Sequence, residues 1–222
     1  MAYPPIFYAV KALDVGGGAG LTPLYYAACW HSGPPGEQIR ERLECISVLL
    51  EAGASVDKLV CGATPLYHVV AFTPPEDRAD EITAVVEALV KAGADVNWAH
   101  PPSRQSVLTM AAQSSTAGAV RMLISAGAVD LTRALEFAIY YGKPRNCTPL
   151  LRAGAALPAD TDTLYSPHAR AYIENIRAAG GYKAYEKAHR QRLVAMFLPK
   201  FPTLPVEMVE RVVEILWDIG GH

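Results

Sequence analysis

With 222 residues, 51% of them apolar, and a formal net charge of -2, the chain can bury a sizeable core as one domain with an appendage. That balance excludes bulk nucleic-acid binding and disorder. Its cysteines, Cys29, Cys45, Cys61 and Cys147, form no CxxC pair and have no histidine at ligand spacing. They read as reduced, partly buried thiols rather than a metal site.

No stretch is long and apolar enough to span a membrane, and Met1-Ala-Tyr-Pro-Pro lacks the basic start and apolar run of a secretory signal. The expected setting is intracellular, cytoplasmic or nuclear. The first segment, 1–20, reads as a degenerate capping unit, with a helix pair over Ile6–Asp14 and a glycine-rich lead at Gly16–Gly20. No Gly-Lys-Ser/Thr follows those glycines, so they are no phosphate cradle.

From residue 21 two phrases alternate. Leu21-Thr22-Pro23-Leu24-Tyr25 returns as Ala63-Thr64-Pro65-Leu66-Tyr67, as Gln105-Ser106-Val107-Leu108-Thr109 and, eroded, as Arg133-Ala134-Leu135-Glu136. Leu49-Leu50-Glu51-Ala52-Gly53-Ala54 returns at Leu89–Ala94, Leu123–Ala128 and Leu150–Ala155. Two echoes in fixed order mean a repeated supersecondary unit.

Each unit predicts two helices. Thr22 and Thr64 are placed to cap the first, with Pro23 and Pro65 where a missing N–H costs nothing. Small residues such as Ala27-Ala28, Val69-Val70 and Ala111-Ala112 allow close helix approach. The second helix carries apolar residues at helical spacing, as in Ile82, Val85, Val86 and Leu89, and a glycine ends it where φ > 0 is needed. The stretches Thr22–Gly53 and Thr64–Gly93 exceed Ser106–Gly127, so the first two units carry Pro-rich insertions, Ser32–Glu37 and Thr73–Arg78. Thr73-Pro-Pro-Glu reads as a capping box leading into a longer second helix.

The combination of Thr-Pro-Leu, Ala-Ala and Leu-Leu-x-x-Gly-Ala, with Val56-Asp57 and Val96-Asn97 opening the loops, resembles ankyrin repeats over Leu21 to Ala156. TPR and HEAT repeats lack the Thr-Pro-Leu opening and the Gly-Ala ending. The resemblance implies an all-α solenoid of about four repeats over 21–157, antiparallel helix pairs with projecting hairpin loops, followed by a helical extension or cap over 158–222. Tyr25 and Tyr67 stand where the family commonly has histidine, which puts its usual hydrogen bond between neighbouring repeats in doubt.

In such a fold the first helices and loops line a concave surface. Carried over repeat by repeat, the outward residues are Tyr26 and Trp30, His68 and Phe72, Met110, Gln113 and Ser114, then Phe137, Tyr140 and Tyr141. The loop tips add Asp57, Lys58, Trp98, His100 and Arg104, with Trp98 the foremost candidate for a partner contact. An aromatic column of this kind is either a binding face or packing between repeats. The binding reading makes the chain a non-catalytic, monomeric protein-interaction module, without nucleic acid, membrane, metal or cofactor.

After the repeats, Pro158–Asp162 reads as a linker. Ser166-Pro167 opens a helix that Gly180-Gly181 stops, and Tyr182–Phe197 follows as a basic, solvated helix with Glu186 its one acid. The segment Leu204–Trp217 resembles the Leu-Pro-x-Glu opening of an F-box, as in the shortened versions of PRANC proteins. That likeness implies docking on a Skp1-type adaptor of a cullin ubiquitin ligase through Leu204, Pro205, Glu207, Met208, Val212 and Ile215. The stripe Met208, Val212, Ile215 and Ile219 would serve equally as a cap sealing the last repeat, which a solenoid requires, and the cap is the preferred reading. No HExxH, Cys/His cluster, Gly-x-Ser-x-Gly elbow or ordered Ser/His/Asp set occurs, so an enzyme is not expected.

Overall fold

The computed structural model describes residues 21–29, 39–72, 78–159 and 167–220, with side chains as far as Leu216. The capping unit 1–20, Trp30, the insertion Ser32–Glu37 and the Thr73 capping box therefore lie outside the described residues.

Four helix pairs occupy the repeat region. They are α1 (Pro23–Cys29) with α2 (Ile39–Glu51), α3 (Pro65–Ala71) with α4 (Ala79–Lys91), α5 (Val107–Ser114) with α6 (Ala117–Ser125), and α7 (Leu131–Tyr140) with α8 (Pro144–Arg152). The first helices pack in series, α1 on α3, α3 on α5 and α5 on α7, as an inner layer. The second helices pack likewise, α2 on α4, α4 on α6 and α6 on α8, as an outer layer. Both α2 and α4 run to 13 residues against 9 for α6, so the units with insertions do end in longer second helices.

The capping chemistry is as the sequence dictates. Thr22 Oγ1 accepts from the Tyr25 N–H at 3.1 Å, Thr64 Oγ1 from Tyr67 at 3.3 Å and Ser106 Oγ from Thr109 at 3.3 Å. The eroded fourth echo has lost this device. There α7 starts at Leu131 behind Asp130, which is left-handed at φ 65° and gives no side-chain cap.

At the other end of each outer helix the chain closes identically. Gly53 and Gly93 take φ of 85° and 87°. The following alanine N–H returns to the last leucine turn: Ala54 to Leu49, Ala94 to Leu89, Ala128 to Leu123 and Ala155 to Leu150, each at 3.0–3.1 Å. The core runs continuously between the layers. Leu24, Leu66, Leu108 and Leu135, the leucines of the four opening phrases, are each no more than 1% exposed. Ala27-Ala28, Val69-Val70 and Ala111-Ala112 beside them are buried, which brings neighbouring inner helices together.

Two hairpins project between units. Val60 and Ala63 bridge across the turn Cys61-Gly62, and β1 (Ala99–His100) pairs antiparallel with β2 (Gln105–Ser106).

The tail comprises α9 (Pro167–Ala178), α10 (Tyr182–Phe197), a 3-10 turn at Leu198–Lys200 and α11 (Val206–Gly220). Two expectations are corrected here. Ile173, Ile176 and Tyr182 extend the repeat core, so α9 and the start of α10 close the stack. The stripe on α11 does not: Met208 is 53% exposed, and Val212 and Ile215 are each 45% exposed. The opposite face carries the packing, with Val209 and Val213 buried where α11 meets α10. Nor is α10 simply solvated. Glu186 is buried, taking two hydrogen bonds from Arg152 of α8 and an ion pair from Arg190 at 3.1 Å.

Candidate partner-binding face

The inner face is built by short helices whose buried sides are fixed by the opening leucines and the small pairs behind them. What remains outward falls into two groups.

The first group is occupied with holding repeats together. His68 donates through Nε2 to the Val60 carbonyl at 2.8 Å, since a carbonyl can only accept, and its ring meets Tyr25 edge-on at 5.1 Å. Phe72 and Met110 are half-buried against the core. Gln113 Oε1 accepts from Gln105 of β2 at 3.2 Å, and Ser114, expected outward, is buried. Tyr26 is half-buried beside Tyr25.

Trp98 also differs from the expectation of a solvated loop residue. It is half-buried, its ring 5.1 Å from Tyr67 edge-on and 6.0 Å from His100. His100 in turn stacks on Tyr67 at 5.5 Å. The physical reason is the buried Tyr67 ring, on which the next hairpin packs the Trp98 and His100 rings, so that ring packing ties the two units. Burial pushes the Tyr67 phenol up, a hydrogen bond with Ser103 opposing it.

Asp57 has a structural role too. Its carboxylate accepts from the Asp95 N–H at 3.1 Å. One unit on, Asn97 Oδ1 accepts from the Val129 N–H at 2.9 Å. In the last unit Thr132 Oγ1 accepts from Ala156 at 3.1 Å. A polar side chain of one unit thus serves the backbone of the next three times in succession, from a loop at Asp57 and Asn97 and from the first turn of α7 at Thr132.

The second group is open. Tyr140 and Tyr141 are 56% and 46% exposed, with ring centroids 5.0 Å apart, and Tyr141 stacks on Phe137 at 6.1 Å. The Arg133 guanidinium lies 5.9 Å from the Phe137 centroid and donates to the Arg104 carbonyl at 3.1 Å. The tip of the second hairpin and the end of α7 therefore form one surface: Arg104, Arg133, Phe137, Tyr141, Tyr140. In sequence Arg133 is only part of the eroded echo, with no local signal that it faces Phe137 and the hairpin tip.

Among the described residues no group of three or more His, Cys, Asp and Glu could hold a metal ion. Burial pushes the thiols of Cys29 and Cys147 up to about 12, which removes them as nucleophiles. No helix among the described residues is long and apolar enough to cross a membrane.

Residues 19–59 match the family model of the ankyrin repeat, a span running into α1 and through α2 to the following hairpin. The glycine closures and two-layer stacking continue through α8, so the repeat region has an all-α, ankyrin-type repeat fold, and ankyrin repeats serve protein–protein interaction. No curated protein matches it in sequence.

Proposed function

We propose that the protein is a non-catalytic binding module that holds a protein partner along its inner face, with no turnover. The observation that carries this is the open cluster Phe137–Tyr140–Tyr141 beside Arg133 and Arg104. Large aromatic side chains left exposed on a rigid scaffold, with arginine alongside, have the composition of interface hot spots. The half-buried side chains of Tyr26, His68, Phe72, Met110 and Trp98 extend that face as complementary contact area, and Trp30 belongs to the same column by sequence.

Affinity capture from lysate tests this with three baits: the wild-type chain, Tyr140→Ala/Tyr141→Ala, and Val48→Ala on the outer helix α2. A partner retained by wild type and Val48→Ala and lost by the double variant supports the reading. A partner indifferent to Tyr140 and Tyr141 contradicts it.

A second reading has its own observation. Met208, Val212 and Ile215 are open on α11, and Leu204 is 41% exposed just before it, so a surface for a Skp1-type adaptor is accessible. Pro205 and Glu207 would flank that contact. Co-purification of the adaptor with the full chain, lost on Met208→Glu/Val212→Glu, would make the protein a ligase receptor with the repeats as its substrate-binding arm. Absence of co-purification removes that role and leaves the binding module.

A further inference from the structure

Carboxylates are sparse on the inner helices of the repeats. The inner helices α1, α3, α5 and α7 contain one carboxylate between them, Glu136. The outer helices α2 and α4 alone carry Glu41, Glu44, Glu51, Asp80, Glu81 and Glu87. The loop carboxylate of Asp57 is engaged by the Asp95 backbone. Arg104 and Arg133 meanwhile sit on the inner side, both exposed and joined by the hydrogen bond between them. Among the described residues no carboxylate pairs with either.

Two adjacent cations without a counter-charge, beside a low-dielectric patch of three rings, concentrate positive potential there although the chain as a whole is negative. From this, and resting on the reading of the inner face as the binding face, we infer that the partner presents a short acidic segment bearing aromatic or aliphatic side chains. Its carboxylates meet the exposed guanidinium groups of Arg104 and Arg133, where Arg133 keeps N–H donors beyond the one given to the Arg104 carbonyl. Its apolar side chains lie on Phe137, Tyr140 and Tyr141.

The experiment is a selection from a random peptide display library on the immobilised full chain, followed by synthesis of the most enriched peptide. Its affinity is then measured for wild type, Arg104→Glu/Arg133→Glu and Tyr140→Ala/Tyr141→Ala. All the altered side chains are exposed, and melting curves establish that each variant folds. The expected pool is net acidic with apolar anchors, weakened tenfold or more by the charge reversal and by raising salt from about 0.05 to 0.5 M. A pool that needs Tyr140 and Tyr141 but is neutral or basic overturns the acidic partner while leaving the binding face standing. A pool indifferent to both variants, or no enrichment at all, overturns both. A single-stranded oligonucleotide that competes with the peptide and is lost on the charge reversal would also overturn it, by assigning the cations to phosphates.

Discussion

Arg152, the last residue of α8, donates from Nη2 and Nε to the same oxygen of Glu186 on α10, at 2.6 and 2.9 Å. Glu186 is buried, and Arg190 approaches the same oxygen at 3.1 Å. Two cations on one buried carboxylate join the final repeat to the helical tail. Glu186→Gln keeps the shape and removes the charge, leaving Arg152 short of a partner. A loss of about 1–2 kcal/mol is expected, tempered by the partial exposure of both arginines.

The pH dependence of that clasp has a definite sign. Burial pushes the Glu186 carboxyl up, but hydrogen bonds and charge from Arg152 and then Arg190 outweigh it, and the folded value lies below the ordinary one. A depressed folded value means stability that is present above the unfolded carboxyl range, about 4.3, and lost as pH falls through the lower folded value. Melting temperatures of wild type and Glu186→Gln should therefore differ at pH 6–7 and converge as pH falls through the lowered folded value. A gap of undiminished size down to the acid end of the titration would contradict this charge-based account.

The loop ladder predicts opposite signs at two equivalent positions. Burial and the nearby Asp95 charge raise the Asp57 carboxyl, with the Asp95 N–H opposing them, so its ionised form is disfavoured in the folded state. Its favourable contribution is complete below the unfolded value and lost as pH rises through the folded one. Asp57→Asn, copying what Asn97 already does in the next unit, should raise the melting temperature by about 1–2 °C at neutral pH. Asn97→Ala removes its bonds to Val129 and Gly127 and should cost about 1 kcal/mol.

Gly118 in the first turn of α6 marks a close approach to α4. A Cβ there would lie 2.5 Å from Thr83 Oγ1 and 3.0 Å from Cγ2. Thr83 cannot turn away freely, because its hydroxyl bonds the Ala79 carbonyl and the Thr116 hydroxyl that caps α6. Gly118→Ala should destabilise by about 1–3 kcal/mol despite alanine's better helix propensity, as read by denaturant titration. Thr83→Ser in the same chain should recover part of that loss.

The thiols should separate by accessibility. Cys61 is exposed at a hairpin tip, whereas Cys45 and Cys147 are buried and Cys29 is partly so. Under native conditions a maleimide should label Cys61 alone within minutes, and the rest should react only on unfolding. Mass spectrometry of the labelled peptides checks this.

Much of this architecture is written locally. Thr64 lies three residues before the N–H it caps, and Gly53 specifies its own turn, so both are readable from neighbouring residues. The long-range polar ties are not. Arg42 reaches the carbonyls of Ala27 and Ala28, and Asn146 donates to the carbonyls of Ala111, Ala112 and Ser115, each closing the end of an inner helix. Nothing around Asn146 announces that role, because its partners are backbone atoms of another repeat. Trp98 is illegible for a related reason: a loop residue is solvated by default, and only the third dimension brings Tyr67 beneath it. The tail stripe was read with correct spacing on α11, yet spacing alone does not say which face of a helix meets its neighbour, and Val209 and Val213 hold that place.

The most direct test of the binding face is hydrogen exchange of the captured complex against the free chain. Slowed exchange in Arg133–Gly142 and at the hairpin 99–106, with α2 and α4 unchanged, is the predicted result. Protection confined to α2, α4 or α11, with α7 exchanging as in the free chain, would contradict it.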